Sequence, residues 1–425
     1  MIKLFYFYIL LLPLMNLPKL NFMETKIQYA DLIFIPILLM YLFNILKGKA
    51  RIIRGKDHIS LFLLLLISLL SLLHSRLGIK NSLFDFLGLV YLISLYLAFS
   101  YFVDDRYKFK KINIALSIVA FGISVAGIFA FVAYNFFDLR CLGNFLFLAK
   151  DKSAVFSSVR ICSFLKMPDM FVNFMLLGLS SLFATRQDAG LKKRRLIDFA
   201  IVVIVVSIFF AFSRSLVGVV LFLAIMSLRF RRKGSFLLRF VSWNTFIFIL
   251  SFAILTSIFM VYPFHFAKVE SSGVMDINLN ANPDIRLYLA KATLGILREH
   301  PFLGIGMGAF TEFFKDYLTH KDIAMLAGIY NIPGPQLKID PHSAYLGSLS
   351  EMGILGFVSS ALFIFFIITK VIKAAKSSNG AAFVFLAGIC GFLINGFFVD
   401  ILSMRSLWLI FALASVASHQ KDSLR

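Results

Sequence analysis

Long apolar runs, each closed by a short polar or basic stretch, recur from one end of this chain to the other. A helix needs about 20 apolar residues to cross a bilayer. Runs of that kind fall near 3–17, 28–46, 59–75, 83–103, 112–134, 168–185, 197–212, 215–228, 240–262, 343–369, 381–398 and 406–418. The pattern predicts an all-α polytopic membrane protein with about twelve spans. Several runs are short, 215–228 above all, and suit a tilted or broken helix. One polar interruption, of about 80 residues, is too long to be a mere connector. It divides the chain into an N-terminal membrane bundle (1–262, about nine spans), a large loop (263–342) and a C-terminal membrane bundle (343–425, about three spans). Neither an internal repeat nor a low-complexity tract is visible.

Charge orients this ladder. Lys47, Lys49, Arg51, Arg54 and Lys56 fill the second connection, and Arg106, Lys108, Lys110 and Lys111 the fourth. Lys192 to Arg195 fill the sixth, and Arg229, Arg231, Arg232 and Lys233 the eighth. Every alternate short loop is therefore basic, which assigns those loops and both termini to the cytoplasm. The loops at 135–167 and 263–341 then face outward. The first run carries Lys3 and no small-x-small cleavage site follows it, so it reads as an uncleaved first span.

Composition agrees. The 425 residues are 60% hydrophobic, more than a soluble core can absorb, and the 51 Phe suit lipid-facing helices. The net charge of +21 lies mainly between apolar runs, which favours membrane topology and anionic lipid over a nucleic-acid partner. Three cysteines do not make a metal site. Cys141 and Cys162 share an outer loop, either as a disulfide or as two thiols, and Cys390 lies inside a span.

The large loop has internal order. Asn282-Pro283 opens a helix running to about Glu299, with Ala290, Leu294 and Leu297 on one face. His300-Pro301 ends it, and Gly304, Gly306 and Gly308 predict a tight, mobile turn. A second amphipathic stretch spans 310–326, and a Gly- and Pro-containing segment then leads to Asp340-Pro341-His342-Ser343, where the next span begins. The loop reads as a lid or substrate-binding cap.

In that tetrapeptide Asp340 is the expected helix cap and Pro341 the expected first-turn residue. His342 would then sit beside unpaired backbone N–H groups at the positive end of the helix dipole. Such an end attracts phosphate, and a neutral imidazole there can accept a proton. The outer-side arginines are exceptions to the charge pattern: Arg160, Arg214 in the short Ser213-Arg214-Ser215 turn, Arg286 near the loop-helix start, and Arg405. Guanidinium binds diphosphate bidentately, and does so more strongly near a low-dielectric membrane. Headgroup contact or a structural ion pair accounts for Arg160 as well as a site does, and is the plainer account of Arg405, for which Asp400 is the obvious local partner. Glu351 suits a hydrogen bond to a neighbouring helix, and Gly347, Gly353 and Gly356 suit close helix packing. Asp31, Asp85 and His74 fall near outer span ends, where solvation explains them as well as an acceptor site does.

His342-Ser343, nine residues, Gly353, two residues and Gly356 form a pattern that resembles the His-containing motif of bacterial O-antigen ligases. Ser213-Arg214, Arg286 before an amphipathic helix, and the stretch from His300 to Gly308 agree, as does the twelve-span layout with its large outer loop. The likeness is sharpest from Asp284 to Gly356. The resemblance implies a glycosyltransferase of the inner membrane, without metal or other cofactor. It would move a glycan from undecaprenyl diphosphate to lipid A-core on the periplasmic face. His342 would be the base, Arg214 and Arg286 would hold the diphosphate and stabilise its departure, and Arg160 would assist donor binding. No outer Asp-x-Asp or His-x-x-x-His pattern speaks for a metal. A polysaccharide polymerase using the same donor remains an alternative, as does a transporter or flippase for lipid-linked sugars. A transporter predicts ionisable groups near the bilayer midplane, whereas here they collect at outer span ends.

Overall fold

The computed structural model describes residues 2–15, 20–22, 25–49, 55–137, 160–230, 285–330, 332–377 and 379–420. Membrane-type helices are α1 (Ile2–Leu11), α2 (Tyr29–Leu46), α3 (Lys56–Leu73), α4 (Ile79–Phe102), α5 (Arg106–Phe137), α6 (Pro168–Gln187), α7 (Leu191–Phe209) and α8 (Leu216–Phe230). The large loop contributes α9 (Ile285–Glu299), α10 (Phe310–Phe313) and α11 (His320–Tyr330), and α12 (Ala344–Lys376), α13 (Gly380–Asn395) and α14 (Arg405–His419) close the chain. Leu20–Phe22 and Thr25–Ile27 pair as a small antiparallel hairpin. The fold is all-α apart from that hairpin. The expected run 240–262, the helix start at Asn282-Pro283, and Cys141 with its pairing all lie outside the described residues.

Among the described residues six helices are long and apolar enough to cross a membrane: α2, α3, α4, α5, α6 and α12. The chain is a multi-pass membrane protein. Its peripheral helices carry the apolar residues that a soluble protein would hide, such as Ile35, Leu39, Phe43 and Leu46 on α2. By contrast α6, α13 and α14 are buried on nearly all sides and form the centre of the bundle. α12 packs along α3, α13 along α8, and α5 along α6. The last long helix runs to Lys376 instead of ending near 369. Lys370 stays inside it because its ammonium meets the buried Asp57 of α3 at 3.5 Å.

Two polar contacts fasten the centre. A Cβ on Gly218 would overlap the Gly391 carbonyl, so glycine lets α8 and α13 cross closely. Beside that crossing the fully buried Asn395 accepts the Gly218 N–H at 3.0 Å and donates to Asn173 Oδ1 at 2.9 Å. Asn395→Ala leaves a donor and an acceptor unsatisfied in a dry interior and is expected to cost about 2–4 kcal/mol. Thermal unfolding in detergent checks this; an unchanged midpoint would remove Asn395 from the fastening.

The large loop forms a cap with a separate apolar core, in which Leu289 and Ile296 of α9 meet Phe310, Phe314 and Leu326. The buried face of α9 is therefore Tyr288, Leu289, Ala292 and Ile296, and Leu294, expected inward, is 59% exposed. Apolar residues ring this helix, and the two stacked phenylalanines select which side turns in. The expected helix over 310–326 is broken at Leu318. There Thr319 Oγ1 accepts the Asp322 N–H at 3.2 Å and Asp322 accepts the Thr319 N–H at 3.0 Å, a reciprocal cap that starts α11. Lys291 of α9 ties that cap down at 2.6 Å from Asp322.

Candidate active site

The helix that follows His342 is interrupted. Gly353 holds φ 65° and ψ −166° inside α12, a conformation open to glycine and strained for other residues. An interruption in a membrane helix exposes backbone groups that lipid cannot satisfy. The glycine turn after α9 satisfies them. Ile305 N–H donates to the Ser350 carbonyl at 3.0 Å and Gly306 N–H to the Glu351 carbonyl at 3.1 Å. In return Ile354 N–H donates to the Pro301 carbonyl at 2.8 Å and Leu355 N–H to the Phe302 carbonyl at 3.3 Å. Gly304, Gly306 and Gly308 all have positive φ, as their spacing implies, but the turn is wedged in place rather than mobile. Added Cβ atoms would overlap the Ser350 carbonyl from Gly304 and Ser75 from Gly306. Gly353 is thus a break built for the cap, not a helix-packing glycine. The Glu351 carboxyl group lies near the backbone of Gly308 and Phe310, so it faces this turn.

His342 lies just before α12. It holds φ 51°, a left-handed conformation uncommon for a residue other than glycine. The cap of α12 is Ser343, whose Oγ accepts the Leu346 N–H at 3.5 Å, so neither Asp340 nor Pro341 serves the helix as expected. The reason is tertiary. Ser343 Oγ donates to the Gly396 carbonyl at 3.0 Å, and Ala344 N–H donates to the same carbonyl at 2.9 Å. Two of the first-turn N–H groups that were expected to greet phosphate, those of Ala344 and Leu346, are occupied by protein.

Hydrogen bonds link the segments that carry the arginines to the segment that carries His342. Arg286 donates to the Phe398 carbonyl at 3.1 Å, with its guanidinium 5.7 Å from the Phe398 ring centre. The turn that holds Ser343 therefore also holds Arg286. That turn follows directly from Asn395, which reaches Gly218 and Asn173, and Asn173 in turn lies 3.5 Å from Ser215 Oγ. Ser215 flanks Arg214. The Ser213 hydroxyl donates to Asp169, and accepts the Ser215 N–H at 3.1 Å, which shapes the tight turn carrying Arg214. Arg160 donates to the Phe212 carbonyl of that same turn at 3.4 Å. Arg160, Arg214, Arg286 and His342 are each half-buried, at one end of the bundle. Arg405 belongs elsewhere. It pairs with Asp31 at 2.5 Å and also with Gln28, not with Asp400.

A group of carboxylates gathers near His342 without any joint signal in the sequence. Asp340, accepting from Thr311 Oγ1 at 3.3 Å, is close enough to interact electrostatically with Asp85 and with Asp400. Burial pushes the Asp400 carboxyl above the usual range, and Asp340 adds to the effect. Asp85 lies against Gly308, and His74 lies 6.2 Å from the His300 ring. Nothing in the local sequence of these residues signals that they meet. Their proximity follows from the wedge.

Residues 199–361 match a family model described as O-antigen ligase. The match supports a place in the O-antigen ligase family, and with it glycosyl transfer of the ligase or polymerase type. The match takes in Arg214, Arg286, the glycine turn, His342 and the Gly353 break. Arg160 and the 396–400 turn lie outside it, although hydrogen bonds join both to residues within. No curated protein matches the chain.

Proposed function

We propose that this O-antigen ligase domain protein transfers a glycan from undecaprenyl diphosphate to lipid A-core, at the periplasmic face of the bacterial inner membrane. The observation carrying this reading is the shared 396–400 turn. It receives Ser343, next to His342, and Arg286, while Asn395 at its base leads to the Arg214 turn. A candidate base and cationic side chains thus belong to one connected rim.

In the reaction, an imidazole nitrogen of His342 takes the proton of the acceptor hydroxyl as its oxygen attacks the anomeric carbon. A carbon–oxygen bond forms to the acceptor, and the bond to the diphosphate oxygen breaks. The departing diphosphate carries the electron pair and is neutralised by Arg214 and Arg286. Arg286 donates one of the five N–H groups of its guanidinium to Phe398. Arg160 steadies the Arg214 turn and adds charge beside it. Two guanidinium groups supply the charge compensation that a divalent ion provides elsewhere, so the reaction runs without metal.

Arg286→Ala is expected to raise the apparent donor KM by roughly ten- to a hundredfold, the worth of a charge-assisted hydrogen bond. Arg286→Lys should recover only part, because an ammonium lacks the bidentate fork. An unchanged donor KM would take Arg286 out of the site. Deleting the gene tests the acceptor. Loss of a ligase leaves bare core and accumulated lipid-linked polymer, whereas core bearing a single repeat unit would identify a polymerase, whose acceptor is another lipid-linked glycan.

A further inference from the structure

The opposite end of the bundle holds a cavity of about 930 Å³ that the transfer chemistry does not use. It opens between the start of α3, the end of α4, and the last turns of α12 and α14. From Ala344 to Lys373, α12 covers roughly 40 Å at helical rise, so this cavity and His342 serve different leaflets. The same end carries the basic connections, which the charge pattern assigns to the cytoplasm.

Its floor is internally satisfied. Tyr96 donates to the buried Asp57 carboxylate at 3.0 Å, and Lys370 lies 3.5 Å from the same oxygen while donating to Ser415 at 2.7 Å. Its mouth is cationic. Lys56 and Lys373 both line the cavity and are exposed, and neither has a carboxylate partner among the described residues. Asp104, also at the mouth, is held by Lys108 at 2.6 Å. His58 and His419 add to the polar lining, while Leu97, Phe366 and Val416 give it apolar flanks. Two ammonium groups above apolar walls, at a membrane–water boundary, match a phosphodiester attached to acyl chains.

We propose that this cavity binds the phosphate of an anionic phospholipid from the cytoplasmic leaflet. The site rests on orientation and on the geometry of the cavity, and stands independently of the role of His342. Its phosphate sits between Lys56 and Lys373, with the chains along the apolar flank. The lipid would brace α3, α4, α12 and α14, where α3 and α12 frame the Gly353 break at the other end.

The test uses the full chain in nanodiscs of mixed phosphatidylcholine and phosphatidylglycerol, with native mass spectrometry counting the lipids retained. The intact protein should keep one phosphatidylglycerol more than a Lys56→Ala/Lys373→Ala double variant. About 1 kcal/mol per lysine converts to a requirement for about thirtyfold more phosphatidylglycerol at half-occupancy. Lys56→Arg/Lys373→Arg should retain the lipid. Lys192→Ala/Lys193→Ala, from another basic connection at this end, should also retain it. Equal loss in that control would reduce the effect to general surface charge and overturn the proposal. Equal retention by the Lys56/Lys373 double alanine variant would overturn it too. Displacement by inorganic phosphate at comparable concentration would overturn the assignment to lipid.

Discussion

His342→Ala is expected to lower glycan transfer by about a hundred- to ten-thousandfold, the usual worth of a general base, in a protein that still inserts and accumulates. The backbone makes the comparison sharper. Because His342 holds φ 51°, alanine keeps the strain and loses the ring, whereas glycine relieves the strain and loses the ring. Asparagine tolerates the left-handed region and keeps a polar group of different chemistry. If the imidazole is the base, all three variants lose transfer alike. If His342 serves only to shape the entry to α12, His342→Gly and His342→Asn should transfer normally. Ligated lipopolysaccharide from these variants, read against protein level, separates the two outcomes.

Gly353→Ala is expected to be strongly disruptive. The new Cβ would overlap the Phe302 carbonyl and crowd the Gly304 N–H, at a backbone φ of 65° that alanine resists. Displacing the glycine turn would also expose the four backbone groups of α12 that now bond to it. Unsatisfied groups cost about 1–3 kcal/mol each, and more where lipid is the only alternative. A loss of about 4 kcal/mol or more follows, seen as low accumulation or a large drop in thermal midpoint. Transfer should fail in whatever protein survives, because the same turn positions α9 and hence Arg286. A Gly353→Ala protein with normal stability and normal transfer would mean that the break is incidental.

The spans are legible in the sequence because apolar runs and basic loops are local signals, and α2 to α6 fall where those runs lie. The cap helices are half legible. A helix reaching Glu299 is legible, but which side of α9 is buried depends on Phe310 and Phe314, which sequence periodicity does not supply. The break at Gly353 is illegible, since a glycine in a membrane helix ordinarily means packing and its filler lies some fifty residues upstream. Ser343 displaces Asp340 as the cap because the Gly396 carbonyl takes both the serine hydroxyl and the Ala344 N–H. Asn395 reads as one polar residue in an apolar run; its partners Asn173 and Gly218 are 222 and 177 positions away. Arg405 points to Asp400 because that carboxylate is near in sequence, yet its partner Asp31 is 374 positions distant. The candidate residues themselves are visible through a motif. The turn that connects them is not, because the residues it joins, from Asn173 and Gly218 to Arg286 and Ser343, are scattered along the chain.

The most direct measurement is a cryo-electron microscopy structure of the protein in nanodiscs, bound to undecaprenyl diphosphate that carries a sugar. The diphosphate should lie within hydrogen-bond reach of the Arg214 and Arg286 guanidinium groups, with the His342 ring facing the anomeric carbon of that sugar along the same rim. Diphosphate density away from both arginines, or at the Lys56–Lys373 end, would contradict the account.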